Sequence, residues 1–284
     1  MNRFFLLTLS LFFPLSMMGQ LPFQKTDVKD VMKKVADWQI AHQKDVKHGA
    51  LDWTNAALYM GMLDWAELAE TEMGDASYYD WLVKLGRRYG WQPDKRMYHA
   101  DDIAVGQVFI DLYNKYKDKN MLYPTQARAE WVVNHPSDGP MDLDYKKRET
   151  LERWTWCDAL YMAPPVYVKL YMLTGDKRFI KFMNKEYKAT YDLLFDKDER
   201  LFYRDSRYLT QKEANGAKVF WGRGNGWVLG GLAEMLQDFP KNDKNRKFYE
   251  ELFVTLSARV AELQSADGFW HASMLDPASY PSPE

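Results

Sequence analysis

Apolar side chains recur every three or four residues along almost the whole of this 284-residue chain. Three such stripes are Val28, Val31, Met32, Val35 and Trp38; Phe179, Ile180, Met183, Tyr187, Tyr191 and Leu194; and Phe248, Leu252, Leu256, Val260 and Leu263. This spacing places the apolar side chains of each segment on one face of an α-helix. Alternating β-branched runs, which are typical of strands, are scarce. The sequence therefore predicts an all-α protein.

The predicted helices are joined by two alternating kinds of connection. The helices cover residues 26–44, 53–72, 76–89, 102–118, 123–134, 164–173, 176–195, 225–238 and 243–264. Short polar turns, such as 73–75 and 174–176, join a helix to a partner that runs back beside it. Long loops follow each pair, and loops gathered at one end of a rigid array are where a site is expected. We therefore expect residues 20–284 to form one domain, an α/α toroid of helical hairpins.

Composition excludes several classes of protein. Hydrophobic residues make up 46% of the chain, and 38 basic residues stand against 40 acidic ones, which is typical of a globular protein and argues against a nucleic-acid partner. Cys157 is the only cysteine, so it can form neither an internal disulfide nor a cysteine-based zinc site. His99 and His271 are too isolated to suggest a metal site. We expect no metal ion and no other cofactor.

The first nineteen residues have the pattern of an export signal. Arg3 precedes an apolar run over residues 4–17, and Gly19 provides a small residue for cleavage. The run is shorter than the roughly 20 residues that a spanning helix needs, so we expect cleavage after Gly19 and no membrane span in the mature chain. Export without disulfides favours the periplasm.

Four segments at the expected starts of the inner helices place polar groups beside aromatic rings. They are residues 52–55, 99–102, 154–158 and 221–227. In a toroid of hairpins these starts meet at one mouth. Asp101 and Asp102 either cap the following helix or face this mouth. Asp158 precedes Pro164 and Pro165, which belong at a helix start, so Asp158 lies in the loop at the mouth.

The aromatic neighbours of Asp158 point to a proton donor, because partial burial raises the pKa of a carboxyl group. A buried structural aspartate is the alternative. The glycines of 222–226 lack the lysine and hydroxyl residue of a phosphate-binding loop, and they more plausibly let a ligand approach the backbone. Arg223 offers a fork to a carboxylate, and Trp221 and Trp227 offer flat faces to a sugar, although Arg223 could instead pair with a core acid.

Four stretches of the chain match a known family in the family's order. They are residues 99–107, 156–165, 201–208 and 220–227. In them the sequence resembles glycoside hydrolase family 105, the unsaturated rhamnogalacturonyl and glucuronyl hydrolases, and the related family 88. The resemblance implies an (α/α)6 barrel and metal-free removal of a 4,5-unsaturated uronic acid from the non-reducing end of oligosaccharides made by polysaccharide lyases.

The resemblance also assigns roles to individual residues. Asp158 matches the acid/base that protonates the C4=C5 vinyl ether and then activates water for attack at C5, after which the hemiketal collapses. Asp101 matches the second carboxylate, with a one-residue ambiguity toward Asp102. The residues expected to contact substrate are His99, Asp102, Trp156, Arg204, Trp221, Arg223, Asn225 and Trp227. Residues 146–148 lack a histidine that some rhamnogalacturonyl enzymes carry, which leaves the sugar on the reducing side open.

Two other functions and one structural expectation stay open at this point. A conventional inverting glycosidase on the same barrel would also use two carboxylates, and a non-catalytic glycan-binding protein would use the same tryptophans. Six hairpins need twelve helices, about three more than the nine predicted here. We therefore expect this chain to be a truncated piece of a longer one, with an apolar edge that makes it poorly soluble or inactive alone.

Overall fold

A computed structural model describes residues 24–283, which form parts of two compact units, Met1–Asp45 and Val46–Glu284. In the first unit, helix α1 (Lys25–His42) is followed by a 3-10 turn at Gln43–Asp45. The proposed export signal lies outside the described residues. No helix within residues 24–283 is both long and apolar enough to cross a membrane.

The second unit is almost entirely helical. Its helices are α2 (Trp53–Met73), α3 (Ser77–Arg88), α4 (Ala100–Ile103), α5 (Gly106–Tyr116), α6 (Lys119–Asn134), α7 (Ala159–Met162), α8 (Pro164–Thr174), α9 (Lys177–Leu194), α10 (Gly222–Asp238) and α11 (Arg246–Glu262). Two short strands, β1 (Phe195–Asp196) and β2 (Leu201–Phe202), pair antiparallel. Further 3-10 turns lie at Arg148–Leu151 and Ser206–Tyr208.

Four helical hairpins make up this unit. The pairs are α2 with α3, α5 with α6, α8 with α9, and α10 with α11. Helices α2, α5, α8 and α10 also pack side by side in that order, which makes them the inner layer, and α6 packs against α9 in the outer layer. The core between the layers contains fully buried rings such as Tyr59, Phe109 and Phe179. The predicted all-α fold of antiparallel hairpins is confirmed.

The short turns have the caps that their sequences suggest. Gly74 and Gly175 end α2 and α8 in the left-handed conformation, with φ of 69° and 70°. Asp176 accepts a hydrogen bond from the Arg178 backbone and starts α9. Asp118 accepts a hydrogen bond from the Asn120 backbone and starts α6. This helix therefore begins at Lys119 and not at the predicted residue 123.

The start of the fourth inner helix also differs from the prediction. Helix α10 begins at Gly222, three residues before the expected position, although glycine has poor helix propensity. Close packing explains one glycine farther along it: a Cβ atom on Gly231 would lie 2.3 Å from the Leu160 carbonyl oxygen. This contact lets α10 approach the α7 backbone, which immediately follows Asp158.

Candidate active site

The starts of the four inner helices converge on one cavity of about 360 Å³. Its walls are formed by Trp53, Arg96, His99, Asp101, Tyr145, Leu151, Trp156, Asp158, Met162, Arg204, Trp221, Arg223 and Trp227. Each of the four segments singled out in the sequence contributes at least one of these side chains. The expectation that they meet at one mouth is therefore confirmed for the described residues.

Backbone pairing brings two of the long loops together at the cavity. The Cys157 amide donates to the Arg204 carbonyl oxygen at 2.9 Å, and Trp156 forms an antiparallel bridge with Asp205. As a result, Asp158 and Arg204 face the same space although 46 residues separate them in the sequence.

Asp158 has the environment of a proton donor. Burial raises the pKa of its carboxyl group to about 6, against the opposing charges of Arg204 and Arg223. Its Oδ1 atom is buried and accepts no hydrogen bond from another residue within 24–283. A carboxyl oxygen that is buried without a partner costs free energy, so its place in a cavity wall indicates a ligand group as the partner.

Asp101 is a second carboxyl group of the same kind. Burial raises its pKa to about 7, and the nearby carboxylates of Asp158 and Asp102 act in the same direction, whereas Arg96 opposes the shift. Two buried carboxyl groups that influence one another titrate as a pair. This pair therefore keeps a proton to a higher pH than an exposed aspartate does.

His99 fixes the position of Asp101. Its side chain caps α4 by accepting from the Asp101 amide at 3.3 Å, and its ring lies against Trp156 with centroids 4.7 Å apart. Burial and the charge of Arg96 lower the pKa of His99 to about 4. The imidazole is therefore neutral at neutral pH, which leaves Nδ1 free to act as the acceptor.

Two of the ten predicted site residues do not line the cavity. Asp102 is buried, and its oxygens accept from the Arg96 amide at 2.7 Å and from Arg96 Nε at 2.9 Å. Asn225 is also buried; it accepts from the Phe202 amide at 2.8 Å and donates to the Phe202 carbonyl at 3.0 Å. These contacts correct the expectation that the two side chains bind substrate, because Asp102 holds the loop at Arg96 and Asn225 holds strand β2 at Phe202.

Arg204, Arg223 and Trp221 form another part of the cavity lining. Arg204 Nη1 donates to Asp205 at 2.7 Å and Nη2 to the Tyr145 hydroxyl at 2.9 Å. The Arg223 guanidinium stacks on the Trp221 ring at 4.5 Å. These contacts hold positive charge next to flat apolar faces, which suits a sugar acid.

Five lining residues were not predicted from the sequence. They are Trp53, Arg96, Tyr145, Leu151 and Met162. Trp53 lies in one of the four segments and packs edge-on against Trp227, with centroids 5.8 Å apart, so its position beside an aspartate was a usable signal. Tyr145 comes from the middle of a long loop, where no local pattern marks it.

The residues of the cavity match one chemistry better than others. No group of three histidine, cysteine or acidic side chains within the described part of the chain is arranged to hold a metal ion. Paired carboxyl groups with raised pKa values, set among indole rings at one end of a helical-hairpin array, are typical of enzymes that cleave glycosidic bonds. The fold and the site thus define a glycoside hydrolase.

Comparison with known proteins gives the family. The sequence profile of Glycosyl Hydrolase Family 88 matches residues 31–284, and the chain belongs to this family. A curated relative from Formosa agariphila, the unsaturated 3S-rhamnoglycuronyl hydrolase, is 35% identical over 94% of this chain and 71% of its own length.

Solved structures agree on the fold. One described as a polysaccharide lyase has a TM-score of 0.79 at 29% identity, over 91% of this chain and 73% of its own. A family 105 glycoside hydrolase from C. acetobutylicum has a TM-score of 0.68 at 20% identity, over 86% and 69% of the two chains. The suspected relationship to families 105 and 88 is confirmed.

Proposed function

We propose that this enzyme hydrolyses oligosaccharides that carry a 4,5-unsaturated uronic acid at the non-reducing end. The observation that carries the proposal is the Asp158 carboxyl group in the cavity wall. Its pKa is raised to about 6, and its Oδ1 atom has no hydrogen-bond partner among the residues that the structure describes. The names of its relatives, unsaturated 3S-rhamnoglycuronyl hydrolases, support the same substrate class.

The reaction begins with transfer of the Asp158 proton to C4 of the vinyl ether, which leaves positive charge shared between C5 and the ring oxygen. The resulting Asp158 carboxylate then takes a proton from water as the water oxygen bonds to C5. Asp158 is thereby returned to its acid form. The product is a hemiketal at C5, which opens to a C5 ketone as the ring oxygen becomes the hydroxyl of a hemiacetal at C1. This hemiacetal then collapses to an aldehyde at C1 and releases the sugar that was bonded there as its free alcohol.

The other lining residues have roles in binding and charge. In this proposal Arg204 and Arg223 pair with the uronic carboxylate, and the Trp221 and Trp227 rings cover the faces of the sugar; all four residues line the cavity, which supports these roles. Asp101, when ionised, stabilises the cationic intermediate and accepts hydrogen bonds from sugar hydroxyls. Both arginines lower the pKa of Asp158, so substrate binding, which neutralises them, favours its acid form.

A second cavity continues from the first. It has a volume of about 370 Å³ and shares Arg204, Trp221 and Arg223 with the catalytic cavity. Its far wall includes Lys212 and Tyr280. We assign this second cavity to the sugar on the reducing side of the cleaved bond, because it adjoins the catalytic cavity and is lined by both charged and aromatic side chains.

A direct assay tests the proposal. Unsaturated uronyl disaccharides absorb ultraviolet light through the C4=C5 double bond, and the enzyme is expected to remove this absorbance with release of one reducing sugar. The saturated disaccharide is the matched control and should remain intact. Cleavage of the saturated compound alone would instead identify a conventional glycosidase, and binding without turnover of either would identify a glycan-binding protein.

We also propose that the protein is exported to the periplasm. Arg3, the apolar run over residues 4–17 and Gly19 support this proposal, since a charged start, an apolar run and a small residue are what signal peptidase requires. The mature chain purified from a periplasmic extract should begin at Gln20, as measured by intact-mass spectrometry. Recovery of the full-length chain in the cytoplasmic fraction would refute export.

A further inference from the structure

A groove lined by lysines lies at the other end of the hairpins from the catalytic cavity. Helices α8 and α10 start at that cavity and end at the turns that border the groove, and α8 alone spans about 16 Å. The groove has a volume of about 900 Å³. Its lining consists of Tyr171, Lys177, Ile180, Lys181, Asn184, Lys185, Lys188, Pro240, Asn242, Asp243, Lys244 and Asn245.

The charge of this groove is strongly one-sided, although the chain as a whole has a net charge of −2. Four of its lysines, Lys177, Lys181, Lys185 and Lys188, follow one another at helical spacing on one face of α9, and a fifth comes from the opposite wall. Like charges at this spacing repel one another and destabilise a helix. A bound polyanion would relieve the repulsion.

The nearby carboxylates of Asp176 and Glu186 have closer partners than these lysines. Asp176 is paired with Arg178, whose Nε lies 2.9 Å from Oδ2. Glu186 accepts from Arg153 Nε at 2.8 Å, and it is 3.9 Å from the Lys185 ammonium. Both acids are therefore already engaged by arginines.

The acid in the lining itself is engaged by the backbone of the turn. Asp243 Oδ1 accepts from the Asn245 amide at 2.8 Å and from Asn245 Nδ2 at 3.0 Å. The lining contains five lysines and this one acidic residue, so the positive charges outnumber the negative one. The groove as a whole therefore carries a net positive charge.

We propose that this groove is a second glycan site, which binds an extended polysaccharide bearing carboxylate or sulfate groups. Tyr171 and Asn242 add a ring face and an amide to the lysines, and sugars use both in addition to charge. A concave groove fits an extended chain better than a membrane surface does. Binding of the polysaccharide in the groove does not depend on the proposed function. Its benefit to catalysis does rest on the proposed function, since an enzyme held on the polymer stays where its oligosaccharide substrates are released.

Affinity measurements on the whole protein test this site. The probes are polygalacturonate for carboxylate, dextran sulfate for sulfate, and neutral dextran. The Lys181→Glu/Lys185→Glu variant should bind the anionic polymers at least about tenfold more weakly, because polyelectrolyte affinity is set by the number of neutralised charges. Its kcat on an unsaturated disaccharide should equal that of wild type. Lys181→Gln/Lys185→Gln should give an intermediate loss.

The matched control is Lys84→Glu/Lys119→Glu, which makes the same change in charge at exposed lysines on α3 and α6. This control should bind like wild type within about twofold. An equal loss in both charge-reversal variants would overturn the proposal, as would complete displacement of the polymer by saturating unsaturated disaccharide, which would place binding in the catalytic cavity. Groove-dependent binding of anionic lipid vesicles or RNA without binding of either anionic polysaccharide would also overturn it.

Discussion

Replacing Asp158 with asparagine is expected to lower kcat on an unsaturated disaccharide by about 10³-fold, within the range that a positioned general acid contributes. Asparagine matches the side chain in size but has no acidic proton to give to C4. KM should change little, because the guanidinium groups and rings that hold the sugar are unaltered. Steady-state rates from the loss of ultraviolet absorbance measure both constants.

Unfolding measurements separate lost catalysis from lost structure in this variant. The pKa of Asp158 is raised in the folded protein from 3.8 to about 6. Well below pH 3.8 the carboxyl group is protonated in both states and costs nothing. The cost grows as the pH rises from about 4 to about 6, and above that it reaches its full value of up to about 3 kcal/mol. The asparagine variant should therefore be more stable than wild type at pH 8, and this difference should shrink toward pH 4.

The matched control is Asp198→Asn, at an acid that is 93% exposed. It should alter neither the rate nor the stability measurably. Wild-type kcat/KM, which reports the free enzyme, should also fall as pH rises above about 6, because the acid form of Asp158 is being lost. If Asp158→Asn retained more than a tenth of the wild-type rate, Asp158 would not be the proton donor.

The chain revealed its fold through patterns that act over short distances. Apolar spacing gave the helices, and glycine or aspartate at the turns gave their pairing, because capping and amphipathicity depend on residues a few positions apart. Asp158 was recognisable for the same reason: the two prolines that follow it fix where the helix starts. Local signals in the sequence are therefore enough to predict that Asp158 lies at the mouth of the array.

The errors came from contacts that no local pattern contains. Asp101 and Asp102 cannot be told apart from the sequence alone. The Arg96 side chain turns back and pairs with Asp102, which gives Asp102 a structural role. Asp101 is left facing the cavity. Asn225 looked like a ligand amide beside Arg223. Its real partner is the backbone of Phe202, 23 positions earlier, at a β2 strand too short to be seen in the sequence.

Arg204, one of the three arginines that line the catalytic cavity, is held in place by Asp205. The Asp205 carboxylate is fully buried, and it accepts from Arg204 Nη1 at 2.7 Å and from Arg207 Nε at 2.8 Å. Its backbone is bridged to Trp156, two residues before the catalytic acid. Asp205 thus holds the two arginines through its side chain and contacts the segment that carries the catalytic acid through its backbone.

Replacing Asp205 with alanine should accordingly have the largest effect on stability. The free energy of unfolding should fall by about 3 kcal/mol, at the lower end for a broken buried ion pair because Arg204 and Arg207 partly reach solvent. Catalysis should fall as well, since Arg204 loses the partner that aims it into the cavity. Urea denaturation measures the first effect, with Asp198→Ala as the control that should stay within about 0.5 kcal/mol of wild type. Equal urea midpoints for the two variants would mean that the Asp205 carboxylate does not stabilise the fold through Arg204 and Arg207.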